Sequence, residues 1–361
     1  MFSQNGKLSE KQLRRMLILP LYASLILVVP HVSAWLFGAS IVPGLLAFFV
    51  MSLLYVAFIW WVARWYQNNR LCVVQNRLLL LIQIVRLIVR LAFYIGLTIA
   101  VLGEGEVPFA PQNTKQNAGG LLVAVPLLAI CVYAAWQKRE QQGRIYELMF
   151  WLLFVPFIFV VLFGIRRMDF SVFVPHCDVS FGILCYRAYL LLPFLLPVEN
   201  YLLLRPYLQS GEKSRKTCYA IMGTIFLAVL LTLGILGIYG VQAGGAEELL
   251  TVAIMRCIRL PFQLTERVDA FLIWFFLVGC FVLIAQTLFF AAELVAVSIR
   301  GAKRIWSIVV ILGSAIVVVI FLPDYSSMLW SYRTYAAIMD VPLSLILPMV
   351  GMLGKGESAH A

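Results

Sequence analysis

Long apolar runs separated by short, mostly basic connections set the pattern of this chain. Runs able to cross about 30 Å of hydrocarbon, which takes about 20 helical residues, fall near residues 16–37, 41–63, 78–102, 120–136, 147–165, 182–204, 218–240, 268–299, 305–322 and 335–353. The pattern predicts an all-α integral membrane protein with about ten transmembrane helices. No low-complexity linker or soluble stretch divides it, so residues 1–361 read as one unit.

Two interruptions stand out. One is Pro193-Phe194-Leu195-Leu196-Pro197-Val198-Glu199-Asn200 inside the sixth run, and the other is Glu266-Arg267-Val268-Asp269 opening the eighth. In hydrocarbon a proline strands a backbone carbonyl and a carboxylate is costly, so both persist where protein or a water-lined cavity surrounds them. Ten spans divide into five and five, and the odd number per half turns the halves over relative to one another. That is the 5+5 inverted-repeat transporter geometry, with repeats near 12–165 and 182–353. The first span carries Pro20-Leu21-Tyr22-Ala23-Ser24 and ends at Pro30. Broken first and sixth helices are therefore expected, with a ligand site between Tyr22, Ala23 and Ser24 on one and Phe194, Leu195, Leu196 and Pro197 on the other. Prolines that only kink their helices are the plainer alternative.

Composition sharpens the class. The chain is 63% hydrophobic and 12% charged, against about a quarter charged in soluble domains. Its net charge of +11 is dispersed between the apolar runs and not gathered on one face, which argues against nucleic acid. Charge instead reports topology. Eighteen basic residues, including Lys7 to Arg15, Arg64, Lys138, Arg139, Arg144, Arg215 and Arg304, fall on one side of the alternating loops, against six on the other. The positive-inside rule places both termini in the cytoplasm. The N-terminus resembles a signal peptide but is too long for one, so it reads as a retained first span. The segment 244–264 reads either as an interfacial helix or as a loop packed over the bundle. Seven dispersed cysteines and three histidines indicate no zinc site or disulfide framework, apart from a Cys177 to Cys257 link between outer loops. No nucleophile-and-base motif or phosphate-cradling loop is present, so no enzyme, cofactor or metal is expected.

Polar residues within the spans supply the remaining candidates. Gln83, Arg86 and Arg90 recur at spacings of three and four, which puts them on one helix face. Glu199 and Glu293 reach a similar depth on the same side. An intramembrane cluster of Arg86, Arg90, Glu199 and Glu293 is expected, because unpaired charges there are expensive. It reads as an inner gate, a proton-sensitive switch or a static clamp. Pro193, Glu266 and Asp269 read as structural, with Asp269 capping a helix N-terminus. Gln286 and Thr287 could help hold sodium or could bond between helices.

Several short stretches then resemble one family, the B subunits of spore germinant receptors, endospore germination permeases of the amino acid-polyamine-organocation superfamily. They are Lys7-Leu8-Ser9-Glu10-Lys11-Gln12 before a first span ending in Pro30, Phe173-Val174-Pro175, Glu199, Arg205-Pro206-Tyr207-Leu208, and Glu266-Arg267-Val268-Asp269-Ala270. The resemblance implies an inverted-repeat fold in the spore inner membrane. It also implies recognition of a small-molecule germinant, often an amino acid, beside A- and C-type receptor subunits and membrane lipid. Relatives usually carry a Gly-rich break where this chain has Tyr22-Ala23-Ser24. A permease doing net transport, and a structural subunit with a non-functional pocket, are the competing expectations.

Overall fold

A computed structural model describes residues 8–65, 77–104, 116–165, 168–174, 179–204, 215–240, 268–298, 304–321 and 325–353. Within them the chain is all-α. In chain order the helices are α1 (Glu10–Phe37), α2 (Ile41–Trp65), α3 (Arg77–Glu104), α4 (Gln116–Trp136), α5 (Arg139–Gly164), α6 (Phe181–Tyr189), α7 (Asn200–Leu204), α8 (Arg215–Tyr239), α9 (Val268–Ser298), α10 (Arg304–Phe321), α11 (Tyr325–Tyr335) and α12 (Val341–Leu353). Six continuous helical stretches are long and apolar enough to cross a membrane, with Glu10–Trp65 counted as one, and the bent pair Phe181–Tyr189 and Leu192–Leu204 makes a seventh.

Local chemistry explains the ends of α1. Ser9 and Gln12 form a capping box, each side chain bonding the other's backbone N–H at 3.3 Å, which satisfies two of the donors that open a helix. Gly38, at φ +52°, takes a conformation that costs a side-chain-bearing residue and ends the helix. Between those ends α1 is buried around nearly its whole circumference, packed by α5, α8 and α9 and by the 3-10 stretch Leu192–Glu199. A helix apolar on every face belongs at the centre of a bundle. Helix α9 is buried over most of its length and packs on α3, α4 and α10. The outer helices present the opposite pattern, with Leu46 and Leu54 on α2, Ile130 on α4, Trp151 on α5 and Val310 on α10 facing outward. Such a belt of large apolar side chains is what lipid tails would cover.

The expected break in the first helix does not occur. Pro20 has no N–H to give the Met16 carbonyl, its partner one turn back, but the Gln286 side chain of α9 donates to that carbonyl instead. With its stranded acceptor satisfied from outside, α1 runs through Tyr22, Ala23 and Ser24 unbroken. The same bond, together with Thr287 Oγ1 donating to Leu283 O at 2.8 Å, engages the two residues considered for sodium in backbone hydrogen bonds.

The sixth helix is broken as Pro193 and Pro197 lead one to expect. After Tyr189 the chain tightens to three-residue bonding, with Leu191 N–H donating to Ala188 O at 3.1 Å and Phe194 N–H to Leu191 O at 3.2 Å. An eight-residue 3-10 run comes next, Leu192–Glu199, where such runs seldom pass four residues. The two arms meet at a bend of 46°. A second irregularity has no counterpart among the expected breaks. Between α11 and α12 the five residues Ala336–Asp340 form a π-turn, in which Val341 N–H reaches back to Ala336 O. In that register the Ala337 carbonyl would look to residue 342, which is a proline without a donor, and the Tyr189 hydroxyl supplies the bond at 2.6 Å.

Asp269 is the second residue of α9. Glu266, Arg267, the segment 244–264, Cys177, Cys257, Pro175 and Arg205 to Leu208 lie outside the described residues.

Candidate functional site

The two irregular stretches each end on an acid, Glu199 closing the 3-10 run and Asp340 closing the π-turn. Both acids meet the polar face of α3. Arg86 holds Glu199 in a two-pronged pair, Nη1 to Oε1 and Nη2 to Oε2, each at 3.0 Å. Its Nε donates to the Asp340 carboxylate, and its Nη2 also reaches the Asp340 backbone carbonyl at 3.0 Å. One turn along, Arg90 closes the ring, with Nε on Asp340 Oδ2 at 2.7 Å and Nη2 on both Asp340 Oδ1 at 2.8 Å and Glu199 Oε2 at 2.9 Å. Gln83 lies between, accepting from Arg86 Nη1 at 2.7 Å and donating to Glu199 Oε1 at 3.3 Å. Two guanidiniums face two carboxylates, so the cluster is neutral as a whole.

Its burial makes that neutrality necessary. Relative exposure is 1% for Arg86, 3% for Arg90, 5% for Glu199 and 0% for Asp340. Taking such charges out of water costs several kcal/mol per ion, and only good geometry with the remaining lone pairs filled repays it. Hydroxyls and rings complete the surroundings. Tyr55 donates to Ser344 at 3.2 Å, while Phe93 stacks on Tyr332 with centroids 4.0 Å apart.

The cluster differs from the expected one in a single member. Glu293 does not reach Arg86. It pairs with Arg139 at 2.6 Å and Arg304 at 3.3 Å, where α9 meets the starts of α5 and α10. Depth along the membrane groups it with Arg86, and depth leaves open which way round its helix a side chain points. Asp340 takes the fourth place. The extra residue of a π-turn rotates the downstream helix by about 100°, and Pro342 two positions on is the sequence trace of that turn. An acid standing alone within the tenth apolar run was the signal available, since such a residue is a functional candidate by default.

The expected ligand-site residues lie on two elements that pack against each other. Helix α1 packs along the 3-10 run, and Tyr22, Ala23, Ser24, Phe194, Leu195, Leu196 and Pro197 are all buried. Tyr22 stacks on Phe154 with centroids 4.1 Å apart. Ala23 lies against Gly279 of α9, where an added Cβ would stand 3.6 Å from the Ala23 Cβ and 3.2 Å from Leu27 Cδ1. Phe194 sits 6.3 Å from Phe93 and 6.4 Å from Tyr332, so this ring joins the candidate ligand site to the rings beside the charge cluster. No metal-holding group of His, Cys, Asp or Glu occurs among the described residues.

A family model described as spore germination protein matches residues 117–328, well over half of the chain. The matched span contains Glu199 and Glu293, whereas Arg86, Arg90 and Asp340 fall outside it. No curated protein matches the chain.

Proposed function

The chain is a membrane protein that belongs to the spore germination protein family, and on that premise we propose that it is the membrane subunit of a spore germinant receptor, in which a nutrient shifts a conformational equilibrium. The family membership carries a role in spore germination; the finer reading rests on the buried cluster. Arg86 and Arg90 on α3 tie down Glu199 and Asp340, the last residues of the Leu192–Glu199 3-10 run and of the Ala336–Asp340 π-turn. Irregular backbone within an apolar bundle is tolerated where it is enclosed by protein or lines a cavity, and a neutral ion cluster holding two such segments at once forms a natural two-state latch. The ligand in this reading is an amino acid, seated between α1 near Tyr22, Ala23 and Ser24 and the 3-10 run at Phe194, Leu195, Leu196 and Pro197. Backbone groups of the broken helix meet its carboxylate and ammonium.

The same reading keeps ten spans arranged as a 5+5 inverted repeat, cytoplasmic termini, the spore inner membrane, and A- and C-type subunits as partners. One observation favours a second reading. Because α1 is continuous, only the sixth helix offers irregular backbone at the site, and this suits a structural subunit whose pocket takes no ligand.

The test is a thermal-shift screen of the purified protein against amino acids, paired with germination of spores carrying Ser24→Phe. An amino acid that stabilises wild type and loses its effect in a normally expressed Ser24→Phe protein supports the receptor. Stabilisation retained in that variant removes the site. No response to any amino acid, together with nutrient germination unchanged by Ser24→Phe, leaves the structural subunit.

A further inference from the structure

The end of the bundle where α2 stops and α8 starts carries cations that neither the latch nor the ligand seat uses. Arg64 lies in the last turn of α2, and Arg215 and Lys216 open α8. All three are exposed, and none has a carboxylate partner among the described residues. By contrast Arg15, near the start of α1, is paired with Glu147, and Arg139 and Arg304, at the starts of α5 and α10, are paired with Glu293. Here no acid is at hand. Helices α2, α7 and α8 contain neither Asp nor Glu, and Glu199, just before α7, is taken by Arg86 and Arg90. The flanking sequence adds charge of the same sign, since residues 64–77 and 205–216 hold seven basic side chains against Glu212 alone. Arg64 lies over the Trp60 ring, 3.7 Å from its centroid. Such stacking engages the face of a guanidinium and not its N–H edge.

Beneath these cations the two helices leave a narrow, partly open crevice with an apolar lining. Val56, Ile59 and Trp60 line it from α2, Cys218 and Ile221 from α8, and Val198 and Tyr201 form its third side. Arg64 is one turn past Trp60, and Arg215 and Lys216 immediately precede Thr217, another lining residue, so the three cations stand at one mouth of the crevice. Around the same end Trp61, Trp65 and Tyr219 are 51%, 58% and 70% exposed. Exposed indole and phenol rings beside cations are the pattern of the boundary between hydrocarbon and headgroups, which places the crevice within the acyl-chain layer.

We propose that an anionic phospholipid binds here, with its phosphodiester against Arg64, Arg215 and Lys216 and one acyl chain along the crevice between α2 and α8. Guanidinium forks fit phosphate oxygens and an ammonium adds a point charge, and a basic pocket between membrane helices suits such headgroups. A zwitterionic lipid brings its own cation and leaves the excess charge uncompensated. Binding of this kind requires only that the chain spans a membrane, whatever the germinant. Val198 and Tyr201 flank Glu199 and Asn200, so the seated acyl chain touches the segment that the latch holds, and lipid composition biases that latch.

The test is native mass spectrometry of the full-length protein, equilibrated with equal amounts of phosphatidylglycerol and phosphatidylcholine bearing the same acyl chains. Wild type retains phosphatidylglycerol preferentially, and Arg64→Gln/Arg215→Gln/Lys216→Gln reduces the preference by up to about fivefold for each charge removed. Lys11→Gln/Arg14→Gln/Lys138→Gln removes as many charges elsewhere and leaves the preference unchanged. Cys218→Trp fills the crevice without altering charge and lowers retention of phosphatidylglycerol, whereas Cys218→Ser preserves it. Equal retention of the two lipids by wild type, a preference that survives the triple substitution at the crevice or falls as far in the triple substitution elsewhere, or retention unchanged by Cys218→Trp overturns the proposal. Displacement of the bound lipid by millimolar inorganic phosphate assigns the cations to a free anion and overturns the lipid reading.

Discussion

Substituting Asp340→Asn tests the latch most directly, because the new side chain has nearly the same shape and lacks only the charge. Asp340 accepts from Arg86 Nε, from Arg90 Nε at 2.7 Å and from Arg90 Nη2 at 2.8 Å. An amide keeps one accepting oxygen and turns an NH2 group toward guanidinium N–H groups, so at least one attractive contact becomes donor against donor. Two buried arginines then share Glu199 alone, with one positive charge uncompensated. Breaking a buried pair in this way costs about 3–5 kcal/mol. Adding Arg90→Gln restores neutrality and leaves Arg86 and Glu199 in their two-pronged pair at 3.0 Å. The double variant is therefore more stable than Asp340→Asn alone, by about 2 kcal/mol within the usual range for contacting residues. Lys11→Gln provides the scale, since Lys11 pairs with Glu147 at 3.0 Å but is 59% exposed, and such a pair is worth about 1 kcal/mol or less. Unfolding in mixed micelles with a rising SDS fraction reads all three. A double variant that costs the sum of its singles, or an Asp340→Asn protein as stable as Lys11→Gln, would refute the reasoning.

Gln286→Leu removes the donor that satisfies the carbonyl stranded by Pro20, and the same unfolding assay should show a loss of about 1–3 kcal/mol; no loss would mean that α1 needs no help past its proline. Single cysteines near Lys115 and near Lys213 should be labelled from opposite sides of the membrane, as the basic bias of the loops requires, and labelling from one side overturns the topology.

Apolar runs carry the helices into view because each must satisfy its own backbone in hydrocarbon. The helices found start and stop close to where those runs do, as α3 at Arg77–Glu104 and α10 at Arg304–Phe321 illustrate. Pro193 and Pro197, four residues apart, announce the broken sixth helix that the structure shows. Pro20 announces a break that does not happen, because the compensating group is on a helix more than two hundred residues away. No local reading can supply a partner at that distance. The cluster shows the same division. Three residues recurring on one face of α3 mark its basic half, and Glu199 is an evident counterion, whereas choosing between Glu293 and Asp340 depends on a π-turn that rotates Asp340 inward. The fully buried site residues on α1 were legible as candidates from Pro20 and the small side chains beside it, yet their packing against Phe154 and Gly279 depends on the bundle as a whole.

The unbroken first helix has a mechanical consequence. At 28 residues and about 1.5 Å per residue, α1 is a rod of about 42 Å held at the middle of the molecule. A rod cannot answer a ligand by unwinding in place, so a change felt at one end is delivered to the other as tilt. Pivoting by about 5° about its centre would carry each end through about 2 Å, a displacement comparable to the helix shifts that switch subunit interfaces. The lower end begins at Lys11 and Arg15, both bonded to Glu147 on α5, and the upper end carries Trp35 against Trp330 of α11. Events between those two contacts would therefore be read out at both faces of the membrane at once, through a lever and without a relay of side chains.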